Sequence, residues 1–133
     1  MTRGPGTAKR RASARRGRRA ETLVAVWLSL QGWHVLDRRA RTGAGEIDLV
    51  ARRGRVLAFI EVKTRRTTEE ARLALSPRQR GRLLRAAGLW RARHRHYDAL
   101  QPRFDLVLAV PWRLPVHLPG AFEAEGRDAL TLL

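Results

Sequence analysis

The fold of this chain is decided by residues 56–64, Val-Leu-Ala-Phe-Ile-Glu-Val-Lys-Thr. The segment is apolar on both faces until Glu61, which is typical of a strand covered on both sides at the centre of a sheet. It follows residues 46–51, Glu-Ile-Asp-Leu-Val-Ala, across a short turn that contains Gly54. Two strands joined by a short glycine-containing turn predict a β-hairpin. The sequence therefore predicts a sheet built around residues 56–64.

The segments around this hairpin predict helices on either side of it. Apolar residues recur at three- and four-residue spacing from Arg18 to Gln31, which predicts a helix, and residues 33–38 predict a strand. Ser76-Pro77 is typical of a helix start, and that helix should run to about His94, before a strand over 103–110. A helix between two strands allows a right-handed crossover and a parallel pair. The order predicts an α/β fold with a mixed central β-sheet flanked by helices.

The two ends of the chain differ in composition from this central region. Residues 1–19 contain eight basic residues and no acidic one. Such a composition cannot bury a core, so residues 1–17 are expected to be a disordered basic arm, although an organellar transit peptide has a similar composition. Residues 18–122 are predicted to form one domain. The proline-containing segment after Pro111 is expected to be irregular, and residues 123–133 to be a weakly ordered tail.

The charge of the chain indicates a polyanionic partner. The formal net charge is +16 and the pI is about 11.9. A domain with a pI above about 9 has the usual electrostatic footprint of a nucleic-acid binder, and a basic solvated surface is the alternative. The basic residues are 26 Arg and only two Lys, Lys9 and Lys63. Because Lys is a compact point charge and Arg a planar fork, a lysine in the central strand suggests a specific role.

Several features that the sequence lacks restrict the class of protein. There is no cysteine, so disulfides and thiolate–zinc sites are excluded. No apolar run approaches the roughly 18 residues of a membrane span. No hydrophobic segment follows the basic start as it would in a signal peptide. We therefore expect a cytoplasmic protein that does not associate with a membrane.

Three acidic residues and a lysine are expected to meet near the end of the central strand. Residues two apart on a strand share a face, so Glu61 and Lys63 should project to the same side. Asp48 lies in the neighbouring hairpin arm, and a suitable register would bring it level with Glu61. Glu21 borders the buried face of the first helix, about 20° from Leu28 on a helical wheel, and is expected to reach the same place.

Carboxylates crowded at the end of a buried strand are costly unless their charge is compensated. A hard divalent cation is the simplest compensation, and oxygen ligands without thiolates or a histidine cluster favour Mg²⁺ or Mn²⁺. Such an ion polarises a phosphate oxygen and activates a water for in-line attack, while an adjacent ammonium steadies the developing charge. The alternative is an ion pair of Lys63 with Glu61 or Asp48 and no metal. Glu21 and the high positive charge favour the metal centre.

The order of Asp48, a hairpin and Glu61-Val62-Lys63 resembles the PD-(D/E)xK nuclease superfamily, which has the restriction-endonuclease-like fold. More narrowly, residues 18–122 resemble the YraN family of small uncharacterised proteins, and archaeal Holliday-junction resolvases are also similar. The superfamily's proline before the aspartate is replaced by Ile47. The matching segments are Gly17-Arg18-Arg19-Ala20-Glu21, Gly45-Glu46-Ile47-Asp48-Leu49-Val50, Phe59-Ile60-Glu61-Val62-Lys63-Thr64-Arg65 and Arg103-Phe104-Asp105.

The resemblance implies a role for each of these residues. Asp48 and Glu61 would bind the metal together with the backbone carbonyl of Val62, Glu21 would contribute from its helix, and Lys63 would assist the attacking water. The implied activity is Mg²⁺-dependent hydrolysis of DNA, with branched or junction DNA as the family-level expectation and a homodimer for symmetric cutting. The alternatives are a non-catalytic nucleic-acid-binding protein that retains the fold, and a basic accessory protein that binds another acidic partner.

Further residues are predicted to support the site or to contact nucleic acid. Gln79 corresponds to a Gln or Lys near the site in some superfamily members, although a solvated helix position is the favoured interpretation. Asp105 is a candidate second supporting residue, although a bond to a nearby amide or arginine is favoured. Trp112 and Tyr97 are candidates for stacking on bases, with packing as the default. The arginines expected to contact nucleic acid are Arg18, Arg19, Arg65, Arg66, Arg78 and Arg82.

Overall fold

The structure is a computed structural model that describes the backbone of residues 5–122 and the side chains of residues 17–122. No helix within residues 5–122 is long and apolar enough to cross a membrane. The elements in chain order are α1 (Pro5–Leu30), β1 (His34–Thr42), β2 (Gly45–Arg53), β3 (Val56–Thr64), α2 (Thr68–Leu73), α3 (Pro77–Arg93), a 3₁₀ turn (Arg95–Tyr97), β4 (Gln101–Ala109) and β5 (Val116–Phe122).

The strands form one five-stranded sheet in the order β1-β2-β3-β4-β5. The central strand, β3, is antiparallel to β2 and parallel to β4. The outer pairs, β1 with β2 and β4 with β5, are antiparallel. The structure therefore confirms the mixed sheet, and it confirms the parallel pair predicted for the strands on either side of the second long helix.

Two apolar cores lie on opposite faces of the sheet, because alternate residues of β3 point in opposite directions. Leu57 and Phe59 pack in a cluster that includes residues of α2 and α3. Ala58 and Ile60 pack in a second cluster, with residues of α1. All four side chains are fully buried. Helices therefore cover both faces of β3, as its continuous apolar sequence predicts.

The second long helix, α3, begins at the predicted residues. The Ser76 side chain caps it by accepting a hydrogen bond of 3.2 Å from the backbone N–H of Gln79. Pro77 occupies the first helical position. A backbone N–H at this position has no acceptor within the helix, so proline costs no hydrogen bond there. Leu83, Ala87 and Trp90 then face the sheet in the apolar core. The cap and the apolar face together place the N-terminal end of α3 beside the sheet.

The first helix, α1, is longer than the sequence predicts. It begins at Pro5 rather than near Arg18, so its first turns lie in the segment that was expected to be a disordered arm. Alanine and arginine are common in this segment, and both have high helix propensity, which explains why a helix can continue there. Residues 1–4 of the arm and the tail over 123–133 lie outside the described residues.

The prediction of an irregular segment after Pro111 is wrong for residues 116–122, which form β5. Pro111 and Pro115 precede the strand. Pro119 lies within it, at the edge of the sheet, where a missing backbone N–H is tolerated. The proline pattern was therefore compatible with an edge strand, and tertiary pairing with β4 decided the outcome.

Asp105 of β4 fastens β5 to the sheet. Its carboxylate is fully buried. Arg103 donates two hydrogen bonds of 2.8 Å to it, His117 lies 2.7 Å away, and the backbone N–H of Gly120 donates at 3.0 Å. Burial by itself raises the pKa of Asp105, but the bonds from His117, Arg103 and Gly120 outweigh it and hold the pKa below its usual range. These contacts agree with the interpretation of Asp105 as a structural residue that binds a nearby backbone amide and an arginine.

Replacement of Asp105 by alanine should loosen the β4–β5 pair. The change leaves partly buried donors without an acceptor, which costs about 3 kcal/mol and lowers Tm by roughly 10 °C. Thermal unfolding followed by circular dichroism measures this loss. Asp98→Ala is the control, because within residues 17–122 Asp98 forms an ion pair only with the exposed Arg95, so its replacement should cost less than about 1 kcal/mol. Equal Tm values for the two variants would contradict the structural role.

Candidate active site

Asp48 and Glu61 lie opposite each other on neighbouring strands. The register of β2 and β3 pairs Leu49 with Ile60. One step further along each antiparallel strand places Asp48 level with Glu61. The register of β2 and β3 is therefore the one that the predicted site requires.

Three chain segments meet at this end of the sheet, which we call the carboxylate edge. The parallel register of β3 and β4 pairs Lys63 with Leu108, so the loop over 110–115 that follows β4 lies at the same edge. β2 begins here at Gly45, directly after the turn from β1. The β2–β3 turn lies at the opposite edge. The carboxylate edge consists of the start of β2, the end of β3 and the β4–β5 loop.

The backbone and a lysine hold the two facing carboxylates in place. The backbone N–H of Val62 donates a hydrogen bond of 2.8 Å to Asp48 Oδ2. Lys63 Nζ lies 3.3 Å from Glu61 Oε1, and both of these side chains are largely buried. The negative charge of Asp48 lies close enough to Glu61 to raise the pKa of Glu61. The result is a semi-enclosed polar site at the end of an apolar strand.

Glu21 of α1 reaches the same site. The negative charge of Asp48 lies close enough to Glu21 to raise the pKa of Glu21. Arg39 Nε lies 3.6 Å from Glu21 Oε2, which is too long for a hydrogen bond. That oxygen is buried and has no hydrogen-bond partner among the described residues. Arg39 was not predicted from the sequence, because its approach to Glu21 depends on how α1 packs on β1 and no local sequence pattern indicates that contact.

The pKa values of all three carboxyl groups are raised. Burial, followed by the charge of Asp48, raises the pKa of Glu21 to about 7. Burial and the same charge raise the pKa of Glu61 to about 7, despite the proximity of Lys63. Burial also raises the pKa of Asp48 against the opposing bond from Val62. At neutral pH the site therefore carries more negative charge than its neighbours balance.

The donors at the carboxylate edge fit a hard divalent cation. They are oxygen atoms, which are the ligands that Mg²⁺ and Mn²⁺ prefer. The buried unpartnered oxygen of Glu21 and the raised pKa values both mark negative charge that a cation would stabilise. Among the side chains of residues 17–122, no three acidic or histidine side chains are already arranged as a complete metal-ligand group. Asp48, Glu61, Glu21 and the Val62 carbonyl are the oxygen donors that this edge offers to such an ion.

A basic cleft lies beside the carboxylate edge, between the β1–β2 turn and the N-terminal end of α3. Its volume is about 480 Å³. The side chain of Arg82 passes so close to Gly45 that a Cβ there would lie 3.0 Å from it, and the positive φ of Gly45 also favours glycine. Within residues 17–122, no carboxylate lies within 4.0 Å of the arginines that line the cleft. The lining residues are Ala44, Ser76, Arg78, Gln79, Arg82 and Arg85.

The cleft contains two of the predicted nucleic-acid contacts, Arg78 and Arg82, and one residue that the sequence analysis missed, Arg85. Spacing could have found Arg85, because positions i, i+4 and i+7 share one face of a helix. Gln79 is not a fully solvated helix residue, since its Oε1 is buried and meets no hydrogen-bond donor in the described part of the chain. The cleft therefore unites five polar or charged side chains beside the N-terminal turns of α3, where partial positive charge favours anions.

The remaining predicted arginines lie on elements that border the carboxylate edge. Arg18 and Arg19 are exposed on α1, within one turn of Glu21. Arg65 and Arg66 are exposed directly after β3. The six predicted contacts therefore form a discontinuous basic rim around the acidic site.

The two aromatic candidates have different surroundings. Tyr97 packs against Trp90, with 5.9 Å between ring centroids, which agrees with a packing role for Tyr97. Trp112 is fully exposed in the β4–β5 loop, so the interpretation of Trp112 as a packing residue is wrong.

Fold and site together define a small α/β protein with an acidic cluster at the end of its central strand and a basic rim. The chain belongs to the family described as "Uncharacterised protein family UPF0102", whose model matches residues 20–109. This confirms the family-level resemblance to the YraN-like proteins. The matched region contains Glu21, Asp48, Glu61 and Lys63.

Several relatives match almost the whole chain, and each of them is named as a UPF0102 protein. One from Maricaulis maris is 54% identical over 127 residues, which cover 96% of this chain and 99% of the relative. One from Paramagnetospirillum magneticum is 44% identical over 129 residues, covering 94% and 100%. One from Methylorubrum populi is 49% identical over 116 residues, covering 87% and 93%.

The raised pKa values predict how stability changes with pH. Between the ordinary value of 4.5 and about 7, the folded protein holds protons on Glu21 and Glu61 that the unfolded chain has released. The free energy of unfolding therefore falls as pH rises through this window and stays at the lower level above it. Asp48→Asn removes the charge that opposes both ionisations, so it should flatten the slope and raise Tm at pH 8 by a few degrees, or about 1 kcal/mol.

Thermal unfolding between pH 5 and 8 in EDTA tests this prediction. Asp98→Asn, which removes an exposed charge far from the site, should leave the slope unchanged. An Asp48→Asn protein that is less stable than the parent at pH 8, with the same slope, would show that the charges do not repel as described.

Proposed function

We propose that this protein is a metal-dependent endodeoxyribonuclease of the PD-(D/E)xK type, with a restriction-endonuclease-like fold. The observation that carries the proposal is the placement of Asp48 opposite Glu61, with Lys63 3.3 Å from Glu61 at the end of the central strand. Phosphodiester hydrolysis needs carboxylates that hold a metal ion. It also needs a cation that stabilises the negative charge developing on the phosphate in the transition state. These three side chains offer both within one semi-enclosed site.

The proposed cofactor is Mg²⁺ or Mn²⁺. When bound, the ion supplies a Lewis acid that polarises the scissile phosphate and lowers the pKa of a water. Asp48, Glu61 and the Val62 carbonyl are the proposed ligands, and Glu21 contributes from α1. The Val62 N–H bond restricts the orientation of Asp48, so one carboxylate oxygen remains available for the ion. Metal binding would also displace the protons that burial favours on these carboxyl groups.

Lys63 is proposed to orient the attacking water and to stabilise charge on the phosphate. Its ammonium group is held against Glu61 and is largely shielded from solvent. In a site of low dielectric constant, a fixed cation stabilises a developing anion more strongly than the same cation does in water. An arginine would present a broader fork, which explains why lysine is used here in a chain with 26 arginines.

The basic cleft is proposed to hold a phosphate of the same DNA. Gly45 at the rim of the cleft precedes Asp48 by three residues on β2, a distance of about 10 Å along an extended strand. This separation corresponds to about three base steps along the duplex axis. A phosphate held by Arg78, Arg82 and Arg85 would therefore place a neighbouring stretch of the backbone across the carboxylates.

Branched or junction DNA is the proposed preferred substrate. Symmetric cutting of a junction needs two active sites, so this form of the proposal includes a homodimer. Leu23, Val26 and Leu30 form an exposed apolar strip on α1 that is available for contact with a second copy.

Loss of the charge at Asp48 or at Lys63 should abolish cleavage without abolishing DNA binding. Asp48→Asn and Lys63→Ala are expected to lower the cleavage rate of labelled linear, nicked and four-way DNA in Mn²⁺ by at least about 100-fold, since each removes a charge used in the reaction. Gel assays measure cleavage, and electrophoretic mobility shift measures binding.

Glu69→Gln is the control for this experiment, because Glu69 is an exposed carboxylate on α2, and it should cleave like the parent. Binding by the parent protein with no cleavage in Mg²⁺ or Mn²⁺ would instead support the non-catalytic alternative. The absence of a preassembled ligand group among residues 17–122 is the observation that favours that second candidate.

Removing charge from the basic cleft should change the salt dependence of binding. Each phosphate contact contributes a slope of about −0.9 to the plot of log affinity against log salt. The double variant Arg78→Gln with Arg82→Gln is therefore expected to flatten the slope by nearly two and to weaken binding at low salt.

The matched control for the cleft is Arg52→Gln with Arg55→Gln, which removes the same charge from the opposite edge of the sheet. Fluorescence anisotropy at several salt concentrations measures both slopes. If the slope of log affinity against log salt flattens equally in the two double variants, the cleft does not contribute more to DNA binding than the control arginines do.

A further inference from the structure

Trp112 differs from the other tryptophans of the chain in being fully exposed. Trp33 and Trp90 are buried, and Trp27 is partly buried. Leu114, two residues further along the same loop, is also largely exposed. Neither side chain contributes to the core that the described residues form, and neighbouring exposed apolar side chains are typical of an interaction site.

The backbone at Trp112 adds a second anomaly. Its φ is +64°, a left-handed conformation that is unfavourable for a bulky residue. The backbone N–H of Arg113 donates a hydrogen bond of 3.2 Å to the carbonyl of Val110, which closes a four-residue turn. Pro111 and Trp112 are the central residues of that turn, and the second of these positions normally takes glycine when φ is positive. The turn therefore presents a tryptophan where glycine would be less strained, as occurs at ligand-binding positions.

The loop lies at the carboxylate edge. Lys63 pairs with Leu108, and Trp112 follows Leu108 by four residues, so the Cα of Trp112 lies within about 19 Å of the Cα of Lys63. Pro111 lines one recess together with Arg65 and Arg66. Pro111, the residue directly before Trp112, therefore lies beside cations that directly follow β3.

We propose that Trp112 stacks on an unpaired base of the bound strand, so that the protein prefers DNA with single-stranded or splayed bases beside the scissile bond. This inference rests on the proposed DNA-binding function and deepens it. Arginines that track a phosphate backbone beside an exposed aromatic ring are the combination by which proteins bind single strands. A duplex keeps its bases stacked, so it offers the ring no free face.

The test measures DNA binding without cleavage, in the Asp48→Asn background and in EDTA. The probes are a labelled oligo(dT), a blunt duplex of the same length and that duplex with a single-stranded tail. Trp112→Ala should weaken binding to oligo(dT) and to the tailed duplex by about five-fold or more, and binding to the blunt duplex by less than about two-fold. Trp112→Phe keeps a stacking ring and should retain most of the affinity. Leu73→Ala removes an exposed apolar side chain on α2 and should change none of the three affinities.

Intrinsic fluorescence gives a second readout. Oligo(dT) should quench the tryptophan emission of the Asp48→Asn parent, and the quenching should disappear in Trp112→Phe although the DNA still binds. Trp112→Gly relieves the positive φ, so it should fold at least as stably as the parent while losing the preference for tailed DNA. This variant keeps the test decisive if the alanine variant folds poorly.

Two patterns would overturn the inference alone. In the first, the parent binds DNA but Trp112→Ala and Trp112→Gly leave the ratio of tailed to blunt affinity unchanged. In the second, both variants bind every DNA normally but lose binding to vesicles that contain anionic lipid, which would assign the ring to a membrane surface. A parent protein that binds none of the DNA probes would overturn the proposed function itself.

Discussion

The rest of the structure depends on the burial of β3 on both faces. Its apolar residues alternate between two cores, so a helix must cover each side of the sheet. α1 covers one face and α3 covers the other, and the crossover through α3 makes β4 parallel to β3. The strand becomes polar at Glu61, close to the end of both cores. Charged side chains placed there are shielded enough to interact strongly, yet open enough for a ligand to reach them.

The carboxylate edge stores unfavourable electrostatic energy. Three carboxyl groups converge on a space with one nearby lysine and a more distant arginine, and burial raises the pKa of each carboxyl group. Such repulsion destabilises the folded protein at neutral pH, and stability alone gives no reason to keep it. A basic rim surrounds this acidic centre. The juxtaposition matches what a polyanion bound through a divalent cation would require, since the rim attracts the backbone and the cation offsets the like charges.

Most of the helices and strands could be predicted because their signals are local. The central hairpin, the Ser76 cap of α3 and the alternation along β3 depend on neighbours in sequence. β5 could not be predicted, because an edge strand containing Pro119 is stabilised by Asp105, which lies elsewhere in the chain. The contact of His117 with Asp105 depends on the same long-range pairing of β4 with β5, so no local pattern predicts it.

The sequence by itself determined that the candidate site residues lie on neighbouring elements, because a hairpin brings Asp48 and Glu61 onto adjacent strands and a two-residue period puts Lys63 on the same face as Glu61. Helical periodicity likewise turned Glu21 toward the buried side of α1. Only the tertiary structure decided the register that makes Asp48 level with Glu61, the approach of Arg39 to Glu21, and the exposure of Trp112 on the same edge. Those features join segments distant in sequence, and such contacts are set by the packing of the whole domain rather than by local propensity.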